Sequence, residues 1–162
     1  MRDRLWHEIT QVKHHHFYCT FLIARRRNVL QWFNVVILTF STSGAMGWQV
    51  WNSFPIVACV IVSIISFCKL LAPHLIPSEK DIDKLDDVVD FYFDYYNSLE
   101  CLWFDFEKDR ITEEEMQKRF FELKNSEREV NKAINRLVKI SNGSIRDRAD
   151  TETLEYLQRT FT

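Results

Sequence analysis

The chain has 162 residues, 46% of them hydrophobic, with only three glycines, three prolines and a formal net charge of −2. This length allows one small membrane unit and one further small unit, and the scarcity of glycine and proline argues against disorder and against an all-β fold. The charge is uneven: residues 1–27 are basic, residues 69–162 are acidic, and no Asp, Glu, Lys, Arg or His occurs between Asn28 and Cys68.

Residues 1–27 predict an amphipathic cytoplasmic helix. One modestly apolar stripe recurs at spacings of four and three, as on a helix face. Its members are Leu5, Ile9, Val12, His16, Cys19 and Ile23. Four histidines, His7 and His14 to His16, suggest a metal site, but consecutive histidines point to different sides of a helix. No acidic or cysteine partner stands at ligand spacing, so we expect no metal. The alternatives for these histidines are a solvated cluster, which we favour, and a pH-sensitive or lipid-headgroup role.

The charge-free run of 41 residues would be about 60 Å long as a helix, roughly twice the hydrocarbon core of a bilayer. It is interrupted near Pro55, so residues 28–73 predict a two-helix transmembrane hairpin with spans at about 29–48 and 55–71. Basic residues flank both outer ends and are absent from the turn, which predicts that both termini are cytoplasmic. The predicted membrane-interface residues are Arg25, Arg26, Arg27, Trp32, Trp48, Trp51 and Lys69.

The first span is unusually polar. Asn34 and Ser41 are seven residues apart and share a helix face with Leu38. These groups either hold helices together or line a water-filled pore in an oligomer, and the residues alone leave both interpretations open. The candidate pore-lining residues are Asn34, Leu38, Ser41 and Thr42.

Residues 77–141 predict a cytoplasmic antiparallel helical hairpin. Ser78 is placed to cap its first helix, a turn follows at 108–110, and Thr112 with Glu115 forms a capping box for the second helix. The first helix is apolar on more than one side, so a homo-oligomer or the N-terminal helix must cover the excess. The predicted oligomer seam consists of Tyr92, Tyr96, Leu99, Trp103 and Phe106. A short helix at about 151–161 is expected within a C-terminal tail, residues 144–162.

Basic side chains form a stripe along the second cytoplasmic helix. The candidate ligand-binding residues are Arg128, Lys132, Arg136 and Lys139. The stripe is either a solvated, ion-paired face or a strip that binds an anion or nucleotide. The chain lacks a glycine-rich phosphate loop, a GxSxG elbow and an HExxH motif, so we expect no enzyme and no cofactor.

The order of these segments resembles the SLATT family, two-transmembrane effectors found beside bacterial nucleotide-signalling genes. The likeness is carried by Arg25-Arg26-Arg27, the hairpin, and Asp109-Arg110-Ile111-Thr112-Glu113-Glu114-Glu115. It implies a homo-oligomeric pore in the bacterial inner membrane that acts in anti-phage defence by abortive infection. The fold class that we predict from the patterns above is all-α, and we take a tetramer as the working stoichiometry. A nucleotidyltransferase-derived cyclic nucleotide or oligonucleotide would gate it. The alternatives are a non-conducting anchor that recruits a cytoplasmic partner and a holin-like lytic protein.

Overall fold

The computed structural model describes residues 1–46, 56, 60, 63–67, 70, 78–137 and 142–161, without the side chains of 40–46, 79, 136 and 137. Every element within these ranges is an α-helix, which confirms the predicted all-α class. The helices are α1 (Arg2–Met46), α2 (Glu79–Glu107), α3 (Glu113–Leu137) and α4 (Gly143–Phe161).

The predicted membrane segment is only partly described. Across the described ranges, no helix is both long enough and apolar enough to cross a membrane. The first predicted span lies on α1 as far as Met46, whereas most of the second span lies outside the described residues. Trp48, Trp51 and Lys69 also lie outside them.

The chain divides into two compact units. Unit 1 contains Met1–Ile23 and Asp83–Thr162, and unit 2 contains Ala24–Ile82. Both boundaries fall inside helices, so α1 continues through the position where the sequence placed a border between residues 27 and 28. The predicted domain limits follow the change in hydropathy along the sequence, whereas the compact units follow the packing of the helices.

Unit 1 is a four-helix bundle built from the first half of α1 and the three later helices. Trp6 on α1 lies 5.3 Å from the ring of Trp103 on α2, while His15, further along α1, lies 5.4 Å from Tyr92. Residue numbers rise along one helix as they fall along the other, so α1 and α2 are antiparallel. The hydrogen bond from the Tyr92 hydroxyl to Asn131 places α3 beside the same part of α2.

The core of this bundle contains the residues predicted as an oligomer seam. Tyr92, Tyr96 and Leu99 are almost fully buried within the single chain, and Trp103 and Phe106 pack against the same cluster. For Tyr92, Tyr96 and Leu99 the assignment to contacts between copies is therefore wrong, whereas Trp103 and Phe106 keep part of their surface exposed. The sequence left two candidates to cover the excess apolar surface, another copy of the chain or the N-terminal helix. In the structure the N-terminal helix packs there, and its Leu5, Ile9 and Val12 belong to the same cluster.

The two helix starts predicted within residues 77–141 are confirmed. The backbone N–H of Asp81 donates to Ser78 Oγ at 3.2 Å, and that of Glu115 donates to Thr112 Oγ1 at 3.3 Å. Each hydroxyl satisfies a donor that the first turn of a helix leaves unpaired. Between the helices, Asp109 adopts φ 52°, a left-handed conformation that Asp tolerates better than most residues.

The last helix is longer than predicted. α4 begins at Gly143, two turns before the expected start near Thr151. Its buried side chains recur every four residues at Ile145, Ala149, Thr153 and Leu157, but two of them are small or polar. The stripe was missed because its hydrophobic signal is weak, although Asn142 is a favourable residue to precede a helix.

Unit 2 exposes large apolar side chains. On α1 the more buried positions are Leu30, Phe33 and Ile37, whereas most of the other apolar side chains are exposed. In the second half of the unit, five of the described apolar residues are also strongly exposed. These are Ile56, Val60, Ile64, Phe67 and Leu70.

We predict that Leu99→Ala lowers the free energy of unfolding by about 3 kcal/mol, because it removes a fully buried side chain from the bundle core. Chemical unfolding of the full-length chain in detergent, followed by circular dichroism, measures this change. Leu154→Ala is the matched control, since Leu154 is 58% exposed, and it should change the value by less than about 0.5 kcal/mol. Equal effects of the two substitutions would contradict the assignment of the core.

Candidate ligand-binding cleft

All four helices of unit 1 contribute to a cleft of about 630 Å³. We call it the histidine cleft, and its principal polar residues are His7, His14, His15, Asn131, Arg146 and Asp150. The rings of Tyr18 and Tyr92 and the side chain of Ile134 add apolar surface. Cavities of this size with a few polar groups on apolar walls are typical of small-molecule sites.

The position of the histidines on α1 brings them into contact with other helices. His14 Nε2 lies 3.1 Å from Asp150 Oδ1 of α4. A neutral imidazole carries no charge, so this contact is an ion pair only when His14 is protonated. His14 Nε2 has no hydrogen-bond partner among the described residues. His15 packs against the ring of Tyr92, and the buried Nδ1 of His15 has no hydrogen-bond partner among the described residues.

These contacts correct the expectation of a solvated cluster, because His14, His15 and His16 are all partly buried. Burial lowers the pKa of His15, and His14 and Lys124 lower it further, while Glu8 opposes them. Burial and Lys13 lower the pKa of His16, against the effect of Asp90. Within the described ranges, no three His, Cys, Asp or Glu side chains converge as metal ligands.

A partly buried ion pair joins Glu8 of α1 to Lys124 of α3 near His15. The carboxylate of Glu8, in a residue only 5% exposed, accepts hydrogen bonds from Lys124 Nζ at 2.6 and 2.5 Å and from the Tyr95 hydroxyl at 3.3 Å. Lys124 Nζ also lies 3.6 Å from Glu127, the one residue that interrupts the apolar stripe of α3. Burial and the nearby carboxylates raise the pKa of Tyr95, so its hydroxyl keeps the proton that it donates.

Sequence reasoning missed this ion pair, although two signals were present. Glu8 is three residues after Leu5 and four before Val12, and therefore lies at the edge of the apolar face of α1. Glu127 interrupts an otherwise apolar stripe. Neither signal identifies Lys124 as the partner, because that residue is 116 positions from Glu8.

A second buried charge lies on the other side of α1. Lys13 is 7% exposed, and its Nζ lies 3.6 Å from the ring centroid of Tyr156 and 4.1 Å from that of Tyr96. Burial lowers the pKa of Lys13, while interaction with Tyr156 opposes that shift. The aromatic faces supply part of the electrostatic stabilisation that water would otherwise give.

The described part of the predicted ligand-binding strip lies on the protein surface and not in a cavity. Arg128 and Lys132 are exposed, and Lys132 Nζ pairs with Glu129 at 2.8 Å. The side chain of Arg136 and the whole of Lys139 lie outside the described residues. The strip and the histidine cleft share no described residue, so they are separate candidates for a ligand.

The predicted pore and interface residues that are described lie on α1 in unit 2. Asn34 and Leu38 are exposed, and Trp32 is 69% exposed. Among the three arginines, Arg26 is partly buried and its two neighbours are exposed. The side chains of Ser41 and Thr42 lie outside the described part of the chain.

No family model, curated protein or solved structure matches this chain. The resemblance to the SLATT family therefore stays a prediction from the sequence. What the chain does has to be inferred from its own residues and their contacts.

We predict that Lys124→Met lowers the free energy of unfolding by about 3 kcal/mol, because it leaves the buried Glu8 carboxylate without its cation. Adding Glu8→Gln should recover most of the loss in a double-mutant cycle measured by chemical unfolding. Lys132→Met removes an exposed ion pair from the same helix and should cost less than about 0.5 kcal/mol. Additive effects at Glu8 and Lys124 would refute their coupling.

We also predict that acidification destabilises the bundle through its buried histidines. Because their pKa values are lowered by folding, the unfolded chain binds more protons below about pH 6.5, and the free energy of unfolding falls as the pH falls. A double substitution, His15→Gln with His16→Gln, should make this loss smaller in urea titrations at a series of pH values. His7→Gln, at an exposed position, serves as the control. An unchanged slope in the double variant would exclude these histidines as the cause.

Proposed function

We propose that this protein is an oligomeric pore of the bacterial inner membrane, with both termini in the cytoplasm. The observation that carries the proposal is the charge-free run together with the large apolar side chains that unit 2 exposes. Monomeric proteins in water rarely expose contiguous apolar surface on this scale. A lipid environment removes the cost of that exposure, and hydrophobic residues such as Val35 and Ile64 would face acyl chains.

Polar groups on the same helix favour a pore over a simple anchor. Asn34 is exposed beside Val35 and one turn from Leu38. In a single hairpin its amide would face lipid, which is costly for a polar group. Assembly of several copies would turn Asn34 towards a water-filled lumen, and Ser41 and Thr42 follow on the predicted polar face.

A regulatory signal would act on unit 1. α1 lines the histidine cleft with its first half and continues, as one helix, to Met46. A ligand that binds one arrangement of the bundle more tightly than another would shift the balance between closed and open pores. The resemblance to SLATT effectors supports a cyclic nucleotide or oligonucleotide as the signal and anti-phage defence as the setting.

We predict that the full-length chain makes liposomes of phosphatidylcholine and phosphatidylglycerol permeable to a trapped ion-sensitive dye. Asn34→Leu should reduce the flux by about tenfold, because an apolar ring in a narrow pore repels water. Val35→Leu, at the adjacent exposed position, should leave the flux within about twofold of the parent chain, since it keeps an apolar side chain in lipid.

Three outcomes would each contradict a part of the proposal. Absence of flux from the parent chain, with or without cyclic nucleotides and oligonucleotides, would favour the non-conducting anchor. Equal flux from the Asn34→Leu variant and the parent chain would contradict the placement of Asn34 in the lumen. Failure of the chain to insert, measured by flotation with the liposomes, would reject membrane residence itself.

A further inference from the structure

The histidine cleft has an unbalanced set of charges. Arg146 is its permanent cation, and no ion pair joins Arg146 to another described residue. Asp150 is the carboxylate of the cleft, and His14 lies within 3.1 Å of it. When His14 is protonated, that pair is neutral and Arg146 remains unbalanced.

Hydrogen-bond donors complete the site. His15 has a buried Nδ1 without a described partner, and its ring lies against Tyr92 at the cleft. The side-chain amides of Asn131 and Asn135 also line the cavity. A guanidinium, imidazoles and amides are the donor types that bind tetrahedral oxyanions, because each presents N–H groups to charged oxygens.

We propose that the histidine cleft binds a phosphate-type dianion, with Arg146 as the permanent cation and the imidazoles of His14 and His15 as hydrogen-bond donors. The inference depends on the geometry of unit 1 and not on the pore. It differs from the predicted strip at Arg128 and Lys132, which is exposed and shares no described residue with the cleft.

The protonation state of His15 controls the affinity of the cleft for the anion. His15 faces Glu8 and His14 on its own helix, Tyr92 on α2, Lys124 on α3, and Arg146 and Asp150 of α4 across the cleft. Glu8 and Lys124 compensate each other through their ion pair. Without an anion, protonating His15 adds a positive charge in a partly buried position. An oxyanion offsets that charge, so anion binding takes up a proton and becomes tighter as the pH falls.

Calorimetric titration of the full-length chain in detergent with sodium sulfate tests the proposal. Sulfate has the geometry of phosphate and keeps both negative charges over this pH range, so a change in affinity reports on the protein. At constant ionic strength, the affinity for sulfate should rise by about tenfold between about pH 7.5 and about pH 5.5. A constant affinity, or one that falls with acidification, would overturn the proposal.

Substitutions locate the site. Arg146→Gln, at an exposed position that leaves the core intact, should weaken sulfate binding by at least about tenfold at either pH. A double substitution, His14→Gln with His15→Gln, should abolish the pH dependence, and circular dichroism checks that the variant is folded. Arg128→Gln is the matched control and should bind as the parent chain does. Loss of binding in Arg128→Gln but not in Arg146→Gln would move the site to the strip.

Adenosine monophosphate, inorganic phosphate and adenosine distinguish the possible forms of the ligand. Binding of either phosphate compound without binding of adenosine supports recognition of the phosphate group. Equal binding of adenosine and its monophosphate would contradict it. Because these titrations need no ion flux, the cleft can fail while the pore stands, and the pore can fail while the cleft stands.

Discussion

The apolar surface of α2 has to be shielded from water. The packing of α1 against that surface determines which other side chains of unit 1 become buried. Tyr92, Tyr96 and Leu99 form one stripe of α2, and Val88 and Tyr95 lie beside them in the same core. One antiparallel neighbour cannot bury so wide a surface. α3 covers part of it, and α1 and α4 cover the remainder, which makes a bundle out of what the sequence predicted as a hairpin and separate flanking helices.

Covering α2 with α1 brings charged and titratable groups into the bundle. The apolar stripe of α1 is narrow, so its edges at Glu8 and Lys13 are buried together with it. The two buried charges are stabilised in different ways. Glu8 pairs with Lys124, and Lys13 lies against aromatic rings. His15 and His16 have no equivalent partner among the described residues, and burial without such compensation lowers their pKa values.

Local patterns were predictable from the sequence, and pairings between distant segments were not. The helix class, the turn near Asp109, and the caps at Ser78 and Thr112 depend on residues close in sequence, and all four are confirmed. The seam was located correctly but assigned to the wrong partner, because periodicity identifies an apolar face and not what covers it. The histidine cleft requires α4 beside α1, and α4 was predicted too short to reach Asp150 and Arg146.

The contact between His14 and Asp150 gives the cleft a physical means of changing its own packing. This contact joins α1 to α4, as do the approach of Lys13 to Tyr156 and that of Arg148 to Phe21. An oxyanion in the cleft would compete with Asp150 for the protonated imidazole of His14 and would repel the carboxylate. The link between α1 and α4 would then weaken at one end while the aromatic contacts of Lys13 remain. His14 and Asn34 lie on the same helix, since α1 runs without a break to Met46. Coupling of a ligand to the proposed pore would require at least such a shared element.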